Sequence, residues 1–204
     1  MNIKSRIGIL SLNFYTTDLN YACRLHSLAF QRFLDDNGID NVILDYVPNH
    51  NSPNYNLRSP LDQYLDHPKS DPDEQEETLK KWAELYDERV RRYELTESFV
   101  KNTTRITDKQ YTSDSLERED PGCDIYICAT DVLWKYRPNK KAFDRGFFLR
   151  QKCFEGKGKI AYAVSYGGKD YNEDQKKTVR EWSAGFDYVS AREEYLYNLV
   201  KDEF

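Results

Sequence analysis

The chain has 204 residues, of which 39% are hydrophobic and 14% aromatic, including 16 Tyr and 10 Phe. This apolar content excludes an intrinsically disordered chain, and the length suits one large α/β domain with a substantial core. The net charge of -5 argues against a general nucleic-acid binder, so no nucleic-acid partner is expected.

The cysteines and the N-terminal residues bear on where the protein works. Cys23, Cys123, Cys128 and Cys153 form no CxxC pair, so we expect reduced thiols and no metal site. The first apolar run is too short for a signal peptide, and no stretch approaches the roughly 20 apolar residues of a transmembrane helix. These features predict a cytoplasmic protein without a transmembrane segment.

The first predicted elements form a strand–helix–strand unit. Residues 6–12 read as a buried parallel strand, a helix is expected from Asp18 to Gly38, and residues 42–46 read as the second strand. Such a unit predicts an α/β fold with a doubly wound, Rossmann-like parallel sheet. Helical spacing predicts a buried face on the first helix made of Tyr21, Leu25, Leu28, Ala29 and Phe33.

A polar section follows, which we interpret as a helical insertion at about 61–120 within a single Rossmann-like domain spanning residues 1–204. Pro, Asn and Ser predict a loop over 48–60. An amphipathic helix is expected over about 72–98. Residues 103–121 are predicted as loop with one short helix near 114–119.

The C-terminal part again alternates strands and helices. The stretch 124–134 opens as a buried strand and breaks into a polar turn, and residues 159–165 predict another buried strand. A helix over 172–184 and a short strand over 186–190 come next. The last helix is expected to bury Leu196, Leu199 and Val200.

Asp131 and Trp134 are the first candidates for chemistry, because they follow a strand. Ligands of open α/β sheets bind outside the carboxyl ends of the strands. Asp131 could act as a general acid or base or orient a sugar hydroxyl, and Trp134 could stack on a saccharide ring. The alternative is a turn Asp that binds local backbone N–H groups beside a Trp that packs in the core.

Two further candidate sites lie near strand ends. The loop from Ser165 to Gly168, with Gly167 inside it, could bring backbone N–H groups close to a phosphate, or it is an ordinary glycine turn. Asn20, Tyr21 and His26 lie at the start of the first helix. His26 could serve as an acid or base, since the ordinary pKa of histidine is about 6.5, or it is merely packed or solvated.

Cationic residues suggest where an anion could bind. Arg192 could hold a phosphate or carboxylate in bidentate fashion, while Ser190 and Glu193 have the spacing of a capping box for the last helix. Residues 135–159 hold nine basic and two acidic residues, a local charge of +7. This segment could attract an anionic substrate, or it is a solvated surface.

Several of these segments resemble the polysaccharide pyruvyl transferase family, in the family's order. The pattern Ile-Ala-Tyr-Ala-x-Ser-Phe-Gly stands here as Ile-Ala-Tyr-Ala-Val-Ser-Tyr-Gly, and Phe-Asp-x-x-Ser-x-Arg-Glu as Phe-Asp-Tyr-Val-Ser-Ala-Arg-Glu. The matching segments are 20–26, 29–31, 129–135, 147–149, 160–167 and 186–193. The chain differs from the family's pattern at Ala22, His26, Ala129 and Val132.

The resemblance implies two Rossmann-like domains facing a cleft, as in one class of glycosyltransferases, of which this chain covers the N-terminal, acceptor-side domain and lacks the second. It implies transfer of pyruvate from phosphoenolpyruvate as a ketal onto a saccharide in cell-surface polysaccharide synthesis. Phosphoenolpyruvate is then the co-substrate, with no other cofactor, and the acceptor is a free or lipid-linked saccharide at the inner face of the membrane. Asp131 becomes the first candidate for acid or base, and Arg192 with the Ser165 loop for holding an anion.

Two other functions stay open at this stage. One is a glycosyltransferase-like domain that uses a nucleotide sugar. The other is a non-enzymatic module that binds a saccharide or a partner protein. The acceptor sugar, the linkage and the oligomeric state do not follow from the sequence.

Overall fold

Six parallel strands with flanking helices form the described part of the chain. The computed structural model describes residues 5–11, 21–48, 71–138 and 140–203. The strands are β1 Ile7–Leu10, β2 Asn41–Val47, β3 Ile106–Thr112, β4 Ile125–Asp131, β5 Gly158–Val164 and β6 Tyr188–Ala191. The helices are α1 Tyr21–Asp36, α2 Pro72–Glu84, α3 Tyr86–Thr103, α4 Ser113–Leu116, α5 Glu173–Ser183 and α6 Glu194–Val200.

The strands pair in the order β3-β2-β1-β4-β5-β6, and every pair is parallel. This is the order of a doubly wound, Rossmann-like sheet, so the predicted fold class is confirmed. The direction in which strands are added reverses between β1 and β4. Ligands of such sheets bind outside the carboxyl ends of the strands near such a reversal.

Each face of the sheet has its own core cluster. Ile9 and Ile127 belong to a smaller cluster with Leu34 of α1, whereas Leu10 and Cys128 belong to a larger one. Neighbouring residues alternate between the two clusters because successive side chains of a strand point to opposite faces. The apolar runs of β1 and β4 are therefore buried on both sides, as expected for central parallel strands.

The buried face of α1 is not the predicted one. Leu25 and Phe33 are 46% and 60% exposed, while Ser27, Gln31 and Leu34 are buried. The prediction from helical spacing was wrong at these positions because it assigned the apolar stripe to the core. The helix instead turns a mixed polar face towards the sheet.

Gln31 accounts for this orientation of α1. Its Nε2 donates to Asn41 Oδ1 at 3.1 Å and to the Arg105 carbonyl at 3.0 Å, and its Oε1 accepts from Arg105 N at 2.7 Å. A buried amide costs little when both its ends are hydrogen-bonded. This network ties α1 to β2 and to the start of β3, and it leaves the apolar stripe of α1 facing outwards.

The polar section also differs from the prediction. The single helix expected over 72–98 is two helices, α2 and α3, separated at Leu85. The segment 103–121 was predicted as loop, but it contains β3. Residues 108–110 of this edge strand are exposed and polar, so β3 lacks the apolar pattern by which strands are predicted. The short helix predicted near 114–119 is α4, which begins at Ser113.

The other predicted elements agree with the structure. The predicted strands at 42–46, 159–165 and 186–190 and the helix at 172–184 correspond to β2, β5, β6 and α5, with ends shifted by one or two residues. The predicted start of α1 at Asp18 and nearly all of the predicted loop at 48–60 lie outside the described residues.

Tyr46 joins the sheet to the segment after β4 through a buried hydrogen bond. Its hydroxyl donates to Asp144 Oδ1 at 2.6 Å, and the same oxygen accepts from Gly146 N at 2.9 Å. Burial raises the pKa of Tyr46 well above its ordinary value, so the phenol stays a neutral donor. A Cβ at Gly146 would lie 2.3 Å from the Tyr46 hydroxyl oxygen, so only glycine permits this approach.

Replacing Tyr46 with Phe is expected to lower the free energy of unfolding by about 1.5–3 kcal/mol, because the buried Asp144 carboxylate loses its phenol donor. Urea unfolding measures the change. The control is Tyr188→Phe: Tyr188 is 72% exposed, and its replacement should change stability by no more than about 0.5 kcal/mol. Equal stability of the two variants would contradict the prediction.

Candidate functional site

Three loops meet at the carboxyl ends of β4, β5 and β6. The carbonyl of Asp131 accepts from Ser165 N at 2.9 Å, and the carbonyl of Ser165 accepts from Trp134 N at 3.1 Å. Arg192 N donates to the Val164 carbonyl at 3.0 Å. Residues 28 to 34 positions apart in the sequence are thus joined by backbone bonds, at the edge of the sheet where Rossmann-like folds bind ligands.

Asp131 and Arg192 form an ion pair at this edge. Arg192 Nη1 donates to Asp131 Oδ1 at 3.1 Å, and the side chains are 49% and 25% exposed. Asp131 has a φ of 83°, which is uncommon for a residue other than glycine. Strained backbone of this kind occurs frequently at functional sites. The structure therefore brings together two residues that the sequence singled out separately.

Ser165 and Glu193 form a second pair beside the first. The Ser165 hydroxyl donates to Glu193 Oε1 at 2.5 Å, and Ser165 is 3% exposed. Glu193 Oε2 is buried and has no hydrogen-bond partner among the described residues. A buried carboxylate oxygen without a donor is costly, so this atom is suited to receive a hydrogen bond from outside the described part of the chain.

The predicted capping box of Ser190 and Glu193 is wrong. Ser190 is part of β6, and the helix α6 begins only at Glu194. Glu193 is itself the N-cap residue and makes no side-chain cap hydrogen bond. Its carboxylate is therefore available to Ser165, which is the contact that the structure shows.

The loop after β5 approaches the loop after β4 closely. Gly167 has a φ of 85°, and a Cβ there would lie 2.7 Å from Val132 Cγ1. Only glycine fits both constraints. Gly167 N donates to the Ser165 hydroxyl oxygen at 3.2 Å, so this N–H is engaged within the loop. Anion binding by the loop stays a prediction.

A cleft of about 520 Å3 opens between α1 and the ends of β4, β5 and β6. We call it the α1–β5 cleft. It is lined by His26, Ala29, Phe30, Phe33, Thr130, Tyr162, Ala163 and Arg192. Ala163 has a φ of 50°, so this wall, like Asp131, has left-handed backbone. The exposed side chain of His26 lines the same cleft as Arg192, which places the predicted acid or base and the predicted anion ligand at one site.

Trp134 is not a stacking platform, so that prediction was wrong. Its ring is fully buried, stacks on Phe148 with centroids 4.6 Å apart, and donates from Nε1 to the Phe147 carbonyl at 2.8 Å. The Tyr171 hydroxyl donates to the Trp134 carbonyl at 2.5 Å. Trp134 thus anchors the loop that presents Asp131 and has no exposed face for a sugar.

The other predicted residues are only partly described. Asn20 lies outside the described residues, and Tyr21 begins α1 with its side chain outside them. Phe30 and Tyr162 also line the α1–β5 cleft, although they were not among the predicted site residues. The apolar pattern of β5 predicted burial on both faces, but Tyr162 is 47% exposed although Phe30 of α1 stacks on its ring.

The described residues contain neither a metal-binding cluster nor a membrane-spanning helix. They contain no group of three or more His, Cys, Asp or Glu side chains that could hold a metal ion. None of the helices in these ranges has the length and apolar character needed to cross a membrane.

Replacing Ser165 with Ala is expected to lower the free energy of unfolding by about 1–3 kcal/mol, because Glu193 then loses the donor that the described residues supply to its carboxylate. Thermal and urea unfolding measure the effect. The control is Ser190→Ala, at an exposed position of β6. A Ser165→Ala protein as stable as that control would show that the 2.5 Å contact contributes nothing.

Comparison with known proteins connects this site to a family. A sequence model of the family described as polysaccharide pyruvyl transferase matches residues 23–204. Searches of the curated proteins and of the solved structures found no match. The family match spans nearly the whole chain and includes the loops that carry Asp131, Ser165 and Arg192. It confirms the resemblance of the sequence segments and implies a transferase that acts on a saccharide acceptor. The chain belongs to the polysaccharide pyruvyl transferase family.

Proposed function

We propose that the protein transfers pyruvate from phosphoenolpyruvate onto a saccharide, where it forms a ketal across two hydroxyl groups. The observation that carries the proposal is the Asp131–Arg192 ion pair, in which a carboxylate contacts a cation that lines the α1–β5 cleft. Family membership supplies the class of reaction.

The reaction needs a proton donor, a proton acceptor and a site for an anion. A proton adds to the methylene carbon of phosphoenolpyruvate, which leaves a cation at the neighbouring carbon. Two hydroxyls of the acceptor bond to that carbon in turn, each losing its proton. Phosphate leaves with the electron pair of its C–O bond. One of the two released protons replaces the one that became part of the new methyl group, and the other balances the phosphate.

Asp131 suits the role of proton acceptor. Its carboxylate is paired with the Arg192 guanidinium, and its side chain is 25% exposed beside the cleft that Arg192 lines. A carboxylate that reaches an acceptor hydroxyl acts as a general base. His26, on the α1 wall of the same cleft, is our candidate for the group that protonates the methylene carbon.

Arg192 suits the role of anion ligand. Its half-exposed guanidinium has five N–H donors, of which Nη1 bonds to Asp131. The remaining donors can pair with the phosphate or carboxylate of phosphoenolpyruvate in a planar, bidentate way. The position of Arg192 between β6 and α6, beside Asp131, would hold the donor next to the proton acceptor.

The proposal predicts distinct effects of two substitutions. Asp131→Asn should lower kcat by about 100- to 10,000-fold, because general base catalysis is lost, while phosphoenolpyruvate still binds. Arg192→Gln should weaken phosphoenolpyruvate binding by about 10- to 100-fold, since charge-assisted hydrogen bonds are removed. The assays are phosphate release with a mixture of saccharides, the ketal methyl signal in proton NMR, and calorimetric titration with phosphoenolpyruvate.

Arg91→Gln is the matched control, because Arg91 is an exposed arginine of α3 that does not line the α1–β5 cleft. It should leave both phosphoenolpyruvate binding and turnover unchanged. Wild-type activity in Asp131→Asn would refute the assignment of the base. Thermal stabilisation by nucleotide sugars and none by phosphoenolpyruvate would overturn the proposed function and favour a glycosyltransferase-like activity.

A further inference from the structure

Three aromatic side chains form one wall of the α1–β5 cleft. Phe30 and Tyr162 stack with centroids 5.3 Å apart and an interplanar angle of 19°, and Phe33 continues the row 6.5 Å from Phe30 at 21°. Phe33 and Tyr162 are 60% and 47% exposed. The helix α1 and the strand β5, which are far apart in the sequence, therefore contribute to a single row of nearly parallel rings with accessible surface.

The exposure of this row is not explained by packing of the core. The helix α1 meets the sheet through Ser27, Gln31 and Leu34, which are buried, and it holds Phe33 on another side. Exposed clusters of large apolar side chains commonly mark binding sites. The aromatic row also forms one wall of a concave site, the α1–β5 cleft.

The opposite end of the cleft is polar. Thr130, His26 and Arg192 line it, and Arg192 connects it to Asp131. A volume of about 520 Å3 lies within the range of small-molecule sites. A ligand that contacts both ends needs a flat apolar face and polar groups at its edge. A pyranose ring has this combination, since its axial C–H bonds pack on an aromatic face while its hydroxyls project sideways.

The pairing of β4 with β5 sets the order of the aromatic end and the polar end of the cleft along the strands. Tyr162 pairs with Ala129, and Val164 pairs with Asp131. Asp131 therefore lies two positions beyond Ala129, towards the carboxyl edge of the sheet, from the level of Tyr162. A single hydroxylated six-membered ring stacked on Tyr162 would therefore bring hydroxyls at its edge to the level of Asp131.

We propose that Phe30, Phe33 and Tyr162 form the subsite for the acceptor sugar, and that stacking there presents a hydroxyl pair of that sugar to Asp131. This inference rests on the proposed function, because it assigns the acceptor of that reaction to a particular wall of the cleft. It identifies the aromatic row as the determinant of acceptor binding, and it leaves donor binding to Arg192.

The test is saturation-transfer-difference NMR of the whole chain with methyl β-D-glucopyranoside, methyl β-D-galactopyranoside and methyl α-D-mannopyranoside. At least one of these probes should receive saturation on its ring protons. Tyr162→Ala and Phe33→Ala should weaken its binding by about three- to tenfold, since each removes an exposed stacking surface. Tyr162→Phe should bind like the unchanged protein, whereas Tyr162→Leu, which keeps apolar bulk without a flat ring, should bind like Tyr162→Ala.

Tyr188→Ala is the matched control. Tyr188 is a tyrosine of the neighbouring strand β6 that pairs with Ile160 on the same face of the sheet, is 72% exposed, and does not line the cleft. It should leave probe binding unchanged. Circular dichroism of each variant establishes that it is folded, and Tyr162→Leu and Phe33→Ala stand in if Tyr162→Ala does not fold.

The outcomes separate this inference from the proposed function. If none of the probes receives saturation, or if folded Tyr162 and Phe33 variants bind them normally, the subsite is refuted, whatever calorimetry with phosphoenolpyruvate shows. If a probe binds through Tyr162 but phosphoenolpyruvate neither binds nor yields a ketal, the subsite stands as a saccharide site and the proposed reaction is refuted.

Discussion

The parallel pairing of β4 with β5 and of β5 with β6 is the constraint on which the candidate site depends. Parallel strands end at the same edge of a sheet, so side chains from distant parts of the sequence meet there. Asp131 lies opposite Val164, and the Val164 carbonyl accepts from Arg192 N. A shift of the register by one residue would turn Asp131 to the other face of the sheet and separate it from Arg192.

The two sides of the sheet make different contributions to this site. On one side, a dense aromatic core containing Trp134, Phe147 and Phe148 fixes the loop that follows β4. On the other side, the core is smaller, and Phe33 and Tyr162 have accessible surface. Rigid packing behind the loop and open aromatic surface in front of it suit a binding site, because the groups that contact a ligand must be held still while the ligand enters.

Much of the fold could be predicted because central parallel strands are apolar on both faces and turns have characteristic residues. The strand and helix pattern of β1, β2, β4, β5 and β6 was predictable, as were Asp131 and Arg192 as candidates at strand ends. Edge strand β3 was not, because its exposed side chains are polar. The orientation of α1 was not predictable either. Gln31 can be buried because it forms hydrogen bonds to residues 10 and 74 positions away, and no local sequence pattern contains such contacts.

The sequence by itself determined the α/β class, the family and the segments that carry polar residues after strands, since these depend on local composition and order. Only the tertiary structure decided which of those residues act together. In the tertiary structure, Arg192 donates to Asp131 and Ser165 donates to Glu193. Trp134 is buried, and Tyr162 is exposed. The physical reason is that burial and pairing depend on which strands are neighbours and on what covers each face of the sheet, and both are set by contacts between residues far apart in the chain.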